Sequence, residues 1–177
     1  MEWQYINNLV RKLRRSPLLD SQQGEHVHFT VTDIEKLIPH RAPFLLLDTI
    51  SCIDFENAAI AGRRVIDSAD PVFQGHFPGE PIYPGVLQVE MIGQLALCLV
   101  SLLEHHTRDP GQVPAPVKVR VSRVHQAVFY NAIAPGDNLT VIAALVNKDE
   151  LATTVAGQIY HGDQLCVVAL LEACFVD

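Results

Sequence analysis

The sequence predicts an α+β protein in which one long apolar helix is wrapped by a curved antiparallel sheet. Residues 84–106 form a helical pattern that is apolar on nearly every side, and such a helix must be covered all round. Four long strand-like runs follow it, separated by the polar turns APGD, KDE and HGD, a pattern typical of antiparallel strands. A curved sheet around the helix satisfies both observations.

Length and composition favour one folded domain with a short N-terminal extension. The chain has 177 residues, of which 49% are apolar and 19% charged, enough to build a sizeable core. We assign residues 1–30 to an N-terminal helix and linker, and residues 31–177 to the domain. The formal net charge of −7 argues against nucleic-acid binding, which normally requires a basic surface.

No segment predicts a membrane span or a secretory signal. The longest apolar run, residues 95–103, is shorter than the roughly 20 residues that cross a bilayer. The N-terminus lacks an apolar segment with a small-residue cleavage site. We therefore expect a cytoplasmic protein with reduced cysteines packed as core residues, because none forms a CxxC pair. These are Cys52, Cys98, Cys166 and Cys174.

The N-terminal segment EWQYINNLVRKLRR predicts a helix with a narrow apolar stripe. The stripe consists of Trp3, Ile6, Val10 and Leu13. Basic residues follow at the C-terminal end, where cations complement the helix dipole: Arg11, Lys12, Arg14 and Arg15. Docking on its own domain or on a neighbouring subunit is the preferred interpretation, and a basic membrane or partner helix is the alternative. SPLLDSQQGE then predicts a linker.

A short helix and two strands come next. HVHF predicts a solvated or edge strand, because His26 and His28 share one face but have no third metal ligand nearby. TDIEKL begins with a predicted capping box, Thr32 with Glu35, and Pro39 ends this helix. FLLLDTISCID and NAAIAGRRVID then predict two strands joined by a polar turn.

The second half of the chain contains the long helix and four strands. Pro84 stands at or just before the first helical turn, where its missing N–H costs nothing. The four strands are expected to form a consecutive antiparallel meander. They span residues 117–130, 138–147, 152–160 and 164–175. Two such units placed edge to edge would cover the remaining helix surface and pair the exposed sheet edges.

Glu90 stands in the middle of the apolar helix, with Gln94 on the same face. A carboxylate in such surroundings loses hydration, which raises its pKa and makes it a plausible general acid. The alternative is a structural glutamate that bonds a nearby backbone group.

His76 lies fourteen residues earlier in GHFPGEPIYPG, whose three glycines and three prolines specify a tight path. This segment leads into the helix N-terminus, where the N–H groups of Gly85 and Val86 are expected to be unsatisfied. Such groups can bind a carbonyl oxygen that gains negative charge. A base, an acid and an oxyanion site together fit removal of a proton next to a carbonyl.

Three segments carry a family resemblance: PHRAPFLLLD, DPVFQGHFPGEPIYPGVLQVEMIGQ and AVFYNAIAPGD. In order and spacing they resemble the FabZ-type (3R)-hydroxyacyl-acyl-carrier-protein dehydratases, over roughly residues 33–176. That family has the hotdog fold, a long central helix wrapped by an antiparallel sheet, which agrees with the pattern above. The related dehydratase–isomerase group has Asp at the position of Glu90, so the FabZ type is the better match.

The resemblance implies that the protein converts (3R)-3-hydroxyacyl thioesters to trans-2-enoyl thioesters in fatty-acid or related polyketide-type biosynthesis. His76 would take the C2 proton, and Glu90 would protonate the leaving C3 hydroxyl. Gly85, together with Val86, would hold the thioester carbonyl, and neither a metal nor an organic cofactor would be needed. Supporting positions match Gln94, Phe77 and Gly79, and Phe129 matches the substrate tunnel.

The resemblance also implies an acyl-carrier-protein partner and a homodimer in which His76 and Glu90 of one site come from different subunits. Assembly of three dimers into a hexamer stays open. Coenzyme A as the carrier stays open. Val128 and Tyr130 stand where relatives often have basic residues, and Glu80 and Tyr83 also depart from the pattern, so a specialised pathway stays open. The basic residues that could meet an acidic carrier are Arg41, Arg63, Arg64, Lys118, Arg120 and Arg123.

Two other functions remain as alternatives, because fold does not settle function. The hotdog fold also hosts thioesterases, which would hydrolyse the thioester. A non-catalytic subunit that binds acyl groups or carriers is the other. The presence of both His76 and Glu90 favours the dehydratase.

Overall fold

A computed structural model describes residues 3–19 and 24–176 and shows an antiparallel sheet curved around one long helix. This confirms the predicted fold class. The helices are α1 (Trp3–Leu13), α2 (Val31–Leu37) and α3 (Gly85–Glu104). The strands are β1 (Glu25–Phe29), β2 (Thr49–Asp54), β3 (Ala59–Val65), β4 (Val119–Phe129), β5 (Asn138–Lys148), β6 (Ala152–His161) and β7 (Gln164–Phe175). Two 3-10 turns span Pro71–Gln74 and Pro110–Gln112.

The seven strands are arranged in the order β1-β2-β3-β5-β6-β7-β4. The predicted meander is correct for β5, β6 and β7 but wrong for β4, which crosses to the far edge and pairs with β7. Pairing of β3 with β5 joins the two halves of the sheet. β3 occupies one side of β5 and β6 occupies the other, so β4 cannot pair with β5. It joins the sheet at the free side of β7 instead.

Strand β1 forms the other edge of the sheet, where it pairs with β2. His26 and His28 are exposed on this strand, which confirms the prediction of an edge strand.

Helix α3 is the centre of the core. Met91, Ile92, Leu95 and Cys98 have no exposed surface, and burial raises the pKa of the Cys98 thiol. Gly157 of β6 allows the close approach of this helix, because a Cβ there would lie 2.1 Å from Cγ2 of Ile92. By length and hydropathy α3 could cross a membrane, but 67% of its most apolar window is buried inside the protein, as expected for a core helix. All four cysteines are free thiols, as predicted.

Helix α2 begins with a capping box, two residues before the predicted one. Asp33 Oδ2 accepts hydrogen bonds from Thr30 N (3.1 Å) and Thr30 Oγ1 (3.0 Å). Hydrogen bonds from the Lys36 side chain and the Thr30 N–H hold the pKa of Asp33 below its usual range. The helix starts here because β1 ends at Phe29, so Thr30 is the first residue able to turn into it. It ends at Leu37, as Pro39 predicts.

Helix α1 docks on the outer face of the sheet, which confirms the preferred interpretation. Its buried side is Ile6, Val10 and Leu13, packed against Ala156, Val168 and Leu170. Trp3, the fourth residue of the predicted stripe, is 67% exposed. It lies one turn beyond the part of the helix that the sheet covers.

A buried glutamine holds the end of this helix. Gln158 of β6 is fully buried, and its Nε2 donates hydrogen bonds to the carbonyl oxygens of Leu13 and Ser16. Its Oε1 accepts from Leu18 N at 2.7 Å. One side chain thus binds the last carbonyl of the helix and two backbone groups of the segment that follows it.

Candidate active site

His76 is held by a loop that closes on itself. Ile82 N donates to His76 O at 3.0 Å, and His76 Nδ1 lies 2.8 Å from Ile82 O. A carbonyl oxygen can only accept, so Nδ1 carries the proton in this hydrogen bond. In the neutral ring Nε2 then has a free lone pair, which is the state that a general base needs.

Two of the predicted supporting residues shape this loop. Gly79 has a φ of +84° and lies in a turn closed by hydrogen bonds between Phe77 and Glu80 in both directions (3.1 and 3.2 Å). The Phe77 ring stacks on His76, with 4.1 Å between ring centroids. Gly79 therefore permits the turn, and Phe77 restricts the orientation of the imidazole.

The N-terminus of α3 lies in the same cleft as His76. Its first hydrogen bonds run from the N–H groups of Leu87 and Gln88 to Pro84 O. The N–H groups of Gly85 and Val86 donate to no acceptor in the described part of the chain, as expected for the first turn of a helix. They are therefore available to an oxygen of a bound molecule.

His76, Gly85, Val86 and Phe129 line this cleft, which we call the His76 cleft and which has a volume of about 500 Å³. Phe129 packs directly on the helix start: a Cβ at Gly85 would lie 2.8 Å from two of its ring carbons. Only glycine fits here without displacing the aromatic ring. The other lining residues include Tyr83 and Tyr130.

Glu90 opens into a different cleft of about 240 Å³, which we call the Glu90 cleft. It lies between α3 and strands β4, β6 and β7. Glu90, His40, Gln94 and Thr153 supply its polar side chains. Its apolar wall includes Leu97, Val100, Val121, Val155 and Leu171. The two clefts share no residue, so within one chain His76 and Glu90 line separate clefts.

Two side chains contact the Glu90 carboxylate. Glu90 Oε1 accepts from Gln94 Nε2 at 3.0 Å and lies 3.4 Å from His40 Nε2. Gln94, which is buried, also donates to Phe44 O and accepts from Leu46 N, both at 2.8 Å. Gln94 thus ties the PHRAPFLLLD segment to the helix and to the carboxylate.

The expectation that Glu90 is enclosed by apolar groups is wrong for a single chain. Its side chain is 30% exposed, and it has the two polar neighbours just described. Val86, one turn earlier on the same face, is 76% exposed. This face of α3 is not covered by the sheet of its own chain, which is why the carboxylate reaches solvent.

His40 is the site residue that sequence reasoning missed. Its Nδ1 is buried without a hydrogen-bond partner in the described residues, and its ring stacks against Phe44. The available signal was its place in PHRAPFLLLD, the first of the three resembling segments. Neighbouring Arg41 fixes this segment by donating to the carbonyl oxygens of Glu35, Ile38 and His40.

Several predicted positions have structural roles instead. Arg41 donates to those carbonyls, and Arg64 pairs with Asp48 at 2.8 Å. Tyr83 is buried against Phe73, and burial raises its pKa. Within residues 3–19 and 24–176, no group of three or more His, Cys, Asp or Glu side chains could hold a metal ion.

Comparison with known proteins identifies the family. The model of the FabA-like domain matches residues 38–170, which is more than half of the chain. The chain belongs to this family. This FabA-like protein is also 38% identical, over 149 residues, to the 3-hydroxyacyl-[acyl-carrier-protein] dehydratase FabZ of Sulfurimonas denitrificans, covering 83% of this chain and 97% of that relative. The FabZ-type resemblance stated from the sequence is thereby confirmed.

Solved structures share the fold of this FabA-like protein. The dehydratase heterocomplex ApeI:P from Xenorhabdus doucetiae is 18% identical with a TM-score of 0.63, covering 81% of this chain and 91% of that chain. The fluoroacetyl-CoA thioesterase FlK is 12% identical with a TM-score of 0.52, covering 67% and 84%. The same fold thus serves both dehydratases and thioesterases, so the site must decide between them. Helix α1 lies outside the residues that the family model matches.

Proposed function

We propose that the protein is a 3-hydroxyacyl-[acyl-carrier-protein] dehydratase that removes water from (3R)-3-hydroxyacyl thioesters during fatty-acid or related acyl-chain biosynthesis. One observation carries the proposal: in a FabA-like chain, His76 is oriented as a base in the same cleft as the free N–H groups of Gly85 and Val86. A base beside an oxyanion site is what proton removal next to a carbonyl requires.

The first chemical step is removal of the C2 proton. The thioester oxygen accepts from the N–H groups of Gly85 and Val86, where the positive end of the α3 dipole favours negative charge. Nε2 of His76 takes the proton from C2, and the electron pair moves towards the thioester oxygen. Phe129, packed on Gly85, borders the acyl chain.

The second step is loss of the C3 hydroxyl. Protonated Glu90 donates its proton to this hydroxyl, the C3–O bond breaks, and the electron pair left at C2 forms the C2=C3 double bond. Water leaves, and proton transfer from His76 to Glu90 through water resets the site. Gln94 and His40 orient the Glu90 carboxyl group, and the apolar wall of the Glu90 cleft receives the chain. Acid and base suffice for this chemistry, so we propose no cofactor.

The separation of the two clefts supports a homodimer in which His76 of one subunit faces the partner subunit's Glu90. Exposed apolar side chains lie on the surfaces that would meet, and β4 is an edge strand that can pair with another chain. The exposed apolar side chains are Phe77, Val86, Val121, Val124 and Phe129. We further propose a cytoplasmic enzyme. A hexamer of three dimers is the larger assembly that the family resemblance implies.

The test is turnover by wild type, His76→Ala and Glu90→Gln of a (3R)-3-hydroxyacyl group on an acyl carrier protein and on coenzyme A. Mass spectrometry should show loss of one water with wild type, and each variant should be slower by about a hundredfold or more. His26→Ala, on exposed β1, is the matched control and should keep full activity.

Other products would contradict the dehydratase. Release of free acid and thiol would establish a thioesterase. Tight binding of an unchanged thioester would establish a non-catalytic subunit.

A further inference from the structure

The C-terminal end of α1 carries a concentrated positive charge on an otherwise acidic protein. We call the four residues Arg11, Lys12, Arg14 and Arg15 the basic cluster; all are exposed. Residues 3–16 contain no Asp or Glu, whereas the whole chain has a formal net charge of −7. Within the described residues, no ion pair joins the cluster to a carboxylate. Its charge is therefore available to a partner.

One member of the basic cluster, Arg14, contacts the wall of the His76 cleft. The guanidinium carbon of Arg14 lies 5.3 Å from the centroid of the Tyr130 ring, and Tyr130 lines that cleft together with Phe129. Val128 and Tyr130 also pack against the apolar cluster that α1 forms with the sheet. A cation–π contact thus connects the cluster to the cleft wall.

The other exposed cations on β4 lie farther from this opening. Arg123 is six residues before Phe129 in the same strand, which corresponds to roughly 20 Å at the rise of a β-strand. Arg120 lies farther still along the strand. Among the cations of α1 and β4, those of the basic cluster are therefore the nearest to the His76 cleft.

The packing of α1 favours a protein partner over a membrane. A helix that lies on a membrane inserts its apolar face into the lipid. Here Ile6, Val10 and Leu13 are buried against the sheet, and Gln158 holds the C-terminal end by three hydrogen bonds. The helix therefore presents its charges from a fixed position and keeps its apolar face occupied.

We propose that the basic cluster is a docking site for the negatively charged surface of the carrier protein that presents the acyl thioester to the His76 cleft. This proposal rests on the proposed function and names the surface that selects its partner. Complementary charge accelerates and orients association, and the carrier must approach this cleft for its thioester to reach His76. Because α1 lies outside the family match at residues 38–170, this docking site belongs to the N-terminal extension and not to the family domain.

The test compares two substrates in wild type and in a variant with three changes: Arg11→Gln, Arg14→Gln and Arg15→Gln. One substrate is the 3-hydroxyacyl group on an acyl carrier protein, and the other is the same group on uncharged N-acetylcysteamine. We expect the KM for the carrier substrate to rise about tenfold with kcat unchanged, because binding and not chemistry is affected. Kinetics with the N-acetylcysteamine thioester should not change.

A matched control removes three charges elsewhere: Lys36→Gln, Arg108→Gln and Lys148→Gln. These residues form exposed ion pairs, which contribute little to stability, so their loss should not unfold the protein. Each triple variant removes three positive charges, so the net charge changes by the same amount in both. The control should keep the wild-type KM for the carrier substrate. Added salt should raise the wild-type KM towards that of the cluster variant and leave the variant almost unchanged.

An unchanged KM in the cluster variant, or an equal rise in the control, would overturn the docking site. Vesicles of phosphatidylglycerol and phosphatidylcholine that bind wild type but not the variant, with equal carrier KM values, would also overturn it in favour of a membrane. If wild type converts neither substrate, the proposed dehydratase has failed. Calorimetric titration with the carrier protein then decides docking alone: about tenfold weaker binding by the variant supports it, and equal binding refutes it.

Discussion

The direction of the Glu90 carboxylate is decided by two side chains, Gln94 and His40. Gln94 is four residues away on the same helix, so its position follows from helical spacing alone. His40 comes from the segment between α2 and β2 and reaches Glu90 only through the tertiary fold. Arg41 fixes the backbone of this segment through three carbonyl oxygens. In the proposed mechanism, His40 is therefore a positioning residue for the acid.

We expect His40→Leu to lower kcat by roughly tenfold to a hundredfold with little change in KM, because a misdirected acid slows the chemical step more than binding. His40→Gln, which can still donate a hydrogen bond to the carboxylate, should recover part of the loss. Steady-state kinetics on a 3-hydroxyacyl thioester measure both. His28→Leu, at an exposed histidine on β1, is the control. A wild-type kcat in His40→Leu would show that Gln94 alone orients Glu90.

At the scale of elements, α1 is attached to the sheet through an apolar stripe and one buried polar side chain. The stripe was predictable from its spacing, and the structure buries three of its four members. Gln158 was not predictable as their partner, because its three hydrogen bonds are made to backbone groups far away in sequence. A buried glutamine in a strand indicates a partner but does not identify it.

Gln158→Ala should lower the free energy of unfolding by about 2 kcal/mol, since it removes three hydrogen bonds and leaves the buried Leu13 carbonyl oxygen without a partner. Urea denaturation followed by circular dichroism measures this change. Gln164→Ala, at an exposed position at the start of β7, should have little effect and serves as the control. An unchanged stability for Gln158→Ala would mean that the apolar stripe alone holds α1.

The crossing of β4 to the far edge of the sheet, like the partners of Gln158, depends on contacts between segments far apart in sequence. Short polar turns correctly predict neighbours for β5, β6 and β7, where the connection itself limits the choice of partner. The longer connection before β5 leaves β4 free, and its partner is chosen by which sheet edge remains unpaired. Local sequence does not contain that information.

At the scale of the whole molecule, each chain presents two incomplete half-sites. The His76 cleft contains the proposed base and oxyanion site, and the Glu90 cleft contains the proposed acid and an apolar wall. A dimer with two-fold symmetry would complete two equivalent sites at once. It would also cover the exposed face of α3 around Val86, which the sheet of one chain leaves open.

Mixed dimers test this arrangement. His76→Ala and Glu90→Gln, each inactive alone, should recover about a quarter of wild-type activity when co-expressed or allowed to exchange subunits, because half of the dimers then contain one intact site of two. Each variant mixed with itself should remain inactive. Verified mixed dimers without activity would place both residues of each site in one chain.

The sequence by itself determined the central helix, the antiparallel strands, the docked α1 and the family. These depend on hydrophobic periodicity, turn residues and long motifs, all of which are local along the chain. It also singled out His76 and Glu90 by residue type and setting. Only the tertiary structure decided the place of β4, the pairing of His40 with Glu90, the partial exposure of that carboxylate and the closeness of the basic cluster to the His76 cleft. These depend on which distant segments pack together, and packing depends on the shape and free edges of the whole fold.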